Sequence, residues 1–282
     1  MANTINKAIN YLADPQNLNA VYKAASKTAD LEANQVQILG ANVVKLPKYS
    51  FGGALGDYNR ATGFVANDIT KAWDTYTLTQ DKGNQLLLDK MDDEETRGEG
   101  IVKATNEYIR QVVTPAVDTY RFGVMVSGAG TTKELTLTAA NILTEILTAE
   151  ATLTENEVPE EGRILYIGAA KLQLLKQSSE ITKYLSVKSQ DDASGINTKF
   201  EYFGEAKIVV VPQARLGTDT QFLYVHPSAI MTCVKHNPAY FFAAGTHSGP
   251  DADLVNYRLY HDLFVVANKT KGIYLQTVTA AG

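Results

Sequence analysis

Residues 77–96, TLTQDKGNQLLLDKMDDEET, hold the densest set of chemically capable side chains in the chain. Asp89, Asp92, Asp93, Glu94 and Glu95 fall within seven positions. Such a run raises two chemistries, divalent-cation binding and general acid–base catalysis. A calcium loop of the EF-hand type needs oxygens at alternating positions, a central glycine and a terminal glutamate. DKMDDEETRGEG lacks that order. Acid–base work needs carboxylates held in a dry pocket, whereas adjacent acids on a polar segment stay solvated. A repulsive or salt-bridging surface fits these residues better.

His226, His236, His247 and His261 lie ten or more residues apart, unlike the close pairs of zinc sites. Each reads as an ordinary structural or surface histidine. RILYIGAAKLQLL resembles a strand, glycine turn and helix. It lacks the glycine spacing of a dinucleotide fingerprint or a phosphate loop, and no G-x-S-x-G elbow is present. No nucleophile, base and orienter can be named together, so the expectation is no enzyme, no metal and no cofactor. The competing enzyme reading, built on this strand and turn, requires a deep pocket with converging polar groups.

The elements that would position these residues read as mixed α and β. Residues 2–35 form short amphipathic helical pieces broken by Pro15. Residues 36–66 mix β-formers with glycines and read as extended chain with turns. A long extended arm is unusual inside a compact domain, but not one lying across a neighbour. Residues 75–91 read as a hairpin turning at QDKGN around Gly83. Apolar residues recur at helical spacing over 98–122, with Arg121 near the end. Pro115 predicts a kink near Gln111. A second helix is expected over 136–150, capped by Thr136 or Thr138. Strands are expected at 163–168, 206–212, 221–227, 229–236, 256–267 and 272–278, the last two joined by a turn at NKTKG. Helices and strands interleave without a regular βαβα rhythm, so the class is α+β.

The 282 residues fit one large or two modest domains, and the formal charge of −5 argues against a nucleic-acid reader. The single cysteine, Cys233, excludes a disulfide framework. No secretory signal and no run of about 18 apolar residues is visible, so no membrane partner is expected.

Five segments in order resemble the major capsid proteins of tailed bacteriophages, the Hong Kong 97-type fold. TYTLTQDKGNQLLLDKMDDEET (75–96) is similar to their extension loop, and IVKATNEYIRQVVTPAVDTYRF (101–122) to their spine helix. VPEEGRILYIGAAKLQLLKQSSEITKYLSV (158–187) resembles the entry to their axial domain. AKIVVVPQARL with FLYVHPSAI (206–230) and YRLYHDLFVVANKTKGIYL (257–275) complete the series. The resemblance implies an N-terminal arm (1–60), an extension loop (61–98) and a peripheral domain with the spine helix (99–150). An axial domain (151–245) and C-terminal strands returning to both domains (246–282) would follow.

It further implies a structural protein that self-assembles into hexamers and pentamers of an icosahedral shell, enclosing double-stranded DNA without sequence-specific binding. Its partners would be copies of itself, a separate scaffolding protein, a portal and decoration proteins. It would be assembled in the bacterial host cytoplasm and reside in the virion. The implied intersubunit contacts are Thr79, Gln80, Asp81, Lys82, Gly83, Leu86, Leu87, Asp89, Met91, Asp92, Asp93 and Glu94. Lys82 and Lys90 lie in the loop, but nothing identifies a partner for the lysine–asparagine crosslink of some relatives, and none is carried over. An encapsulin-type compartment shares the fold and is the alternative. A tail-tube protein would be all-β, against which the long helix argues.

Overall fold

The computed structural model describes residues 26–36, 42–53, 55–61, 63–64, 66–90, 100–179, 181 and 202–279. The expected helical pieces before residue 26 lie outside this set, as do Met91, Asp92, Asp93 and Glu94.

A 3₁₀ turn (Ala29–Asn34) leads into β1 (Gln35–Val36). Strands β2 (Val43–Phe51), β3 (Ile69–Thr77) and β4 (Gln80–Asp89) follow. Helix α1 (Gly100–Tyr108) runs through a π turn (Ile109–Val113) into α2 (Thr114–Ser127). Together they make a beam about 40 Å long at about 1.5 Å per residue. The π turn occupies the place where a kink was expected. Pro115 has no N–H to donate back into the preceding turn, and the ladder widens there. The Ile109 carbonyl accepts from both the Thr114 N–H and, at 3.0 Å, Thr114 Oγ1. The helix runs past residue 122 because Met125 is still buried, and it stops at Gly128. Arg121 is therefore not a cation at a helix end. It is buried mid-helix and paired with Glu32 at 3.2 Å.

Strand β5 (Thr131–Glu134) and helix α3 (Ile142–Glu155) come next. Helix α3 starts later than expected, and its N-cap is Asn141, not a threonine. Asn141 Oδ1 accepts from the Thr138 N–H at 2.7 Å, bracing the turn before the helix. Then come β6 (Ile164–Gly168), α4 (Ala169–Gln177), β7 (Tyr202–Phe203), β8 (Ala206–Val211) and the short α5 (Gln213–Leu216). Strands β9 (Thr220–Val225), β10 (Ile230–His236), β11 (Ala239–Phe242), β12 (Ala252–Val265) and β13 (Ile273–Thr277) complete the chain.

One sheet runs β5-β13-β9-β6-β8-β7. Its central strands β6 and β9 are buried at every residue, so they read as continuous apolar runs. Leu165, Ile167, Phe222 and Tyr224 face Ile142, Ile146 and Leu153 of α3 and Leu175 of α4. On the other face Tyr166, Leu223 and Val225 meet Phe122 and Met125 of α2. The second sheet is built on β12, with β10 and β11 along one edge and β4 along the other, while β1 lies parallel to β10. Tyr257 and Leu259 of β12 pack on Ile109, Val113 and Val117 of the long helix. Strands β12 and β13 are joined by a turn at NKTKG, as expected, but lie in different sheets. The 3₁₀ turn Ala267–Gly272 carries the chain from the second sheet into the first.

The hairpin expected over 75–91 is not formed. Residues 80–89 are one continuous strand, and Gly83 lies mid-strand opposite Arg258. Strand β12 offers fourteen residues of ladder, long enough to hold all of β4, so QDKGN stays extended. The two-stranded ribbon is instead β2 with β3, paired from Val43↔Thr77 to Phe51↔Ile69.

Candidate functional site

The β2–β3 ribbon projects from the body and is anchored at one end only. Residues directly opposite across an antiparallel pair share a face. One face carries Val44, Leu46 and Tyr76 at its base. These pack with Leu78, Met231, Cys233 and Phe264. The Tyr76 and Phe264 ring centroids are 5.3 Å apart, and the Tyr76 hydroxyl accepts from the Ala267 N–H at 3.2 Å. Farther out this face carries Lys48, Ser50 and Thr70, with the small Ala72.

The opposite face carries Val43, Lys45, Pro47, Tyr49 and Phe51 against Thr77, Thr75, Trp73, Lys71 and Ile69. Its outer part, from Pro47 and Trp73 to Phe51 and Ile69, is apolar and aromatic except for Lys71, and nothing in the described chain covers it. Phe51 is 72% exposed, Ile69 67% and Trp73 55%. The Lys71 ammonium lies 4.8 Å from the Trp73 ring centroid and 5.7 Å from that of Tyr49. At the tip Tyr58 packs on Phe64 at 4.9 Å, and both remain exposed. An isolated two-stranded ribbon is marginal in water. An apolar face of this extent on such a ribbon marks an interaction surface.

The residues expected as contacts lie beside this ribbon, along β4. Thr79 makes the crossing from ribbon to sheet, its N–H and Oγ1 donating to Asp262 Oδ2 at 2.7 and 3.0 Å. Tyr120 of α2 donates to the same carboxylate at 2.6 Å, so the ribbon's root is tied to the long helix. Burial and the adjacent Asp262 push the Tyr120 hydroxyl above its ordinary pKa. Gln80 Nε2 donates to Thr79 Oγ1 at 3.2 Å. Asp81 pairs within the chain with Arg258, at 2.5 and 2.9 Å, which holds its carboxyl below the usual range. Lys82 stands opposite Leu259 and Gly83 opposite Arg258. Leu86 packs toward Val255, whereas Leu87 points the other way and is exposed. Asp89 closes the strand opposite Ala252.

Among the described residues no group of three His, Cys, Asp or Glu side chains could hold a metal. A cavity of about 300 Å³ lies between the π turn and β4, lined by Val112, Ala116, Tyr257 and Leu259. A second cavity, of about 500 Å³, borders the helix that follows RILYIG and is lined by Leu172, Lys176, Lys207 and Ile208. His226 accepts from the Ser228 N–H and serves as the cap of a short turn. Cys233 is buried, which pushes its thiol up to about 11. Sequence reasoning named β4 and missed the exposed face of β2–β3. The alternation in VVKLPKYSF and ITKAWDTYT was the available signal.

The fold is similar to that of chains in phage capsid structures. A chain of Mycobacterium phage Che8 superposes with a TM-score of 0.65 at 20% identity, over 84% of this chain and 85% of that one. The capsid structure of cyanophage P-SCSP1u gives 0.69 at 13% identity, over 88% and 86%. The virus-like particle from Pyrococcus furiosus gives 0.59 at 10% identity, over 96% and 98%. No protein-family model matches the sequence, and no curated protein matches it.

Proposed function

We propose that the chain is a major capsid protein of a tailed bacteriophage, which self-assembles into hexamers and pentamers of an icosahedral shell enclosing DNA. The observation that carries this reading is the apolar face of the β2–β3 ribbon. Phe51, Ile69, Trp73 and Tyr49 stand exposed on it and have no apolar cover among the described residues. A second copy is the partner that the fold's likeness to phage capsid subunits supports. A ribbon on one copy and a different surface on the next make a head-to-tail contact, which gives rings when the rotation between copies closes. Many such contacts cooperate, so each can be modest.

Within this reading the second sheet and the long helix form the peripheral domain, and the six-stranded sheet forms the axial domain. The extension loop is the ribbon 43–77, with β4 running back beneath its root. Leu87 and Asp89, on the exposed side of β4, would face the neighbour. The net charge of −5 suits a container that must hold DNA without gripping it. Scaffolding, portal and decoration proteins would join the assembly. The encapsulin-type alternative shares the fold, but the particle from Pyrococcus furiosus superposes less well than the phage chains named above.

Electron microscopy and sedimentation of the purified chain test the proposal, alone and with its scaffolding protein. Shells or ring-shaped capsomers are expected. Ile69→Asp, which places a charge at the outer end of the ribbon's exposed face, is expected to leave folded monomers that form neither. Wild-type protein that stays monomeric under all these conditions would overturn the reading. Enzyme cargo inside the particles would favour the compartment instead.

A further inference from the structure

Away from the ribbon, the molecule holds a buried polar cluster that shell formation does not explain. Asp118 lies on α2 and is fully buried. Its carboxylate accepts from Ser26 Oγ at 2.8 Å, the Lys27 N–H at 2.9 Å and Thr28 Oγ1 at 2.8 Å. The fourth donor is Arg215 of α5, at 3.0 Å. A carboxylate has about four acceptor sites, so Asp118 is saturated. Three donors come from the segment preceding the first 3₁₀ turn, and the fourth from a helix of the six-stranded unit.

One turn along α2, Arg121 is also fully buried. It donates to Thr28 Oγ1 at 2.8 Å and to Glu32 Oε1 at 3.2 Å. Lys207 of β8 pairs with Asp30 at 2.7 Å. Segment 26–32 is thus gripped by Asp118 and Arg121 of the long helix, and by Arg215 and Lys207 beside the six-stranded sheet. The charges of Asp118, Arg121, Arg215 and Glu32 cancel. An unpaired charge at such a site would be costly, so the cluster forms as a set or not at all. The apolar contribution of the segment itself is small, Leu31 being its one fully buried apolar side chain.

We propose that Asp118 is the hub of a clasp. It fastens segment 26–32 to the long helix and ties both to the six-stranded unit, fixing where the N-terminal arm joins the body. The clasp belongs to the single chain. It is a positioning device, and its failure would leave both sheets folded.

Hydrogen exchange and limited proteolysis of the full-length, unassembled chain test it. In the wild type, the amides of Lys27, Thr28 and Leu31 are expected to exchange slowly, and trypsin to cut poorly after Lys27. Asp118→Asn should speed both at least tenfold while amides of β6 and β9 keep their protection. Should Asp118→Asn fail to fold, Ser26→Ala/Thr28→Ala removes two donors from the arm side and leaves the Asp118–Arg215 pair intact. It should give the same local opening. Unchanged exchange in the folded variants would overturn the clasp. So would acceleration spread equally over 26–32, β6 and β9, because the cluster would then support the whole fold and not the arm's attachment.

Discussion

Strand β9, TQFLYV, and strand β3, ITKAWDTYT, both carry aromatic and branched apolar side chains. Every residue of β9 is buried, whereas only Asp74 and Tyr76 of β3 are even partly covered. Strand β9 has β13 on one side and β6 on the other, with helices above and below. Strand β3 has one neighbour, β2, and no layer over either face beyond its base. The side chains are alike and the surroundings differ. In β9 the hydrophobic effect is satisfied within the chain. In β3 it is left to something outside it, which is what a subunit of a larger assembly requires.

The largest effect that would test this contrast is in β9. Phe222 is fully buried and stacks on Tyr274, with ring centroids 6.2 Å apart. Phe222→Ala leaves a cavity in a sheet clamped by α3 and α4, and is expected to cost about 3–5 kcal/mol. Urea denaturation of the unassembled chain measures it. A cost as small as that of a ribbon substitution would break the comparison.

The second test lies in β12, the strand that serves both the long helix and β4. His261 is buried, which pushes its pKa down to about 4, with the Arg121 charge acting in the same direction and Asp262 opposing. Unfolded, the ring titrates near 6.5. Between those values the unfolded chain holds more protons than the folded one, so acid favours unfolding. Stability is expected to be complete above about pH 6.5 and to fall by about 2–3 kcal/mol as pH drops to 4. Denaturation midpoints across this range should show the slope, and His261→Gln should flatten it. A wild-type slope equal to that of the variant would mean that the ring is not held neutral.

How far the sequence discloses these differences depends on what each strand rests on. ILYIG and TQFLYV are legible because unbroken apolar runs of that length have few homes besides a buried sheet. The long helix is legible from its three- and four-residue spacing, and even its disturbance near Gln111 follows from Pro115. QDKGN misleads because a lysine–glycine pair between apolar residues has the local chemistry of a turn. What overrides it is a partner strand 170 or so residues away, with Asp81 paired to Arg258, and no local rule sees that far. The extended reading of 36–66 holds for Val43–Phe51, whose strand partner is Ile69–Thr77 of the same chain. The clasp is less legible still. Ser26, Thr28, Asp118 and Arg215 have no periodicity in common, and only the folded chain brings them together.

The smallest effect is the most discriminating, because it compares two aromatic residues within β3. Tyr76 is on the anchored face, against Phe264, with its hydroxyl bonded to the Ala267 N–H. Trp73, the chain's single tryptophan, is on the opposite face, touching Lys71. Tyr76→Ala removes internal packing and one hydrogen bond and is expected to cost about 1–2 kcal/mol in the unassembled chain. Trp73→Ala removes more apolar surface, yet should change that stability by no more than about 0.5 kcal/mol, because in the monomer the ring is already in water. Its contribution should appear on assembly alone. The wild-type emission of Trp73 should shift to the blue as subunits associate, and Trp73→Ala should raise the concentration needed for association. Equal costs for the two substitutions in the monomer would mean that the exposed face is covered by the chain itself, and the division between the two faces of the ribbon would fall with it.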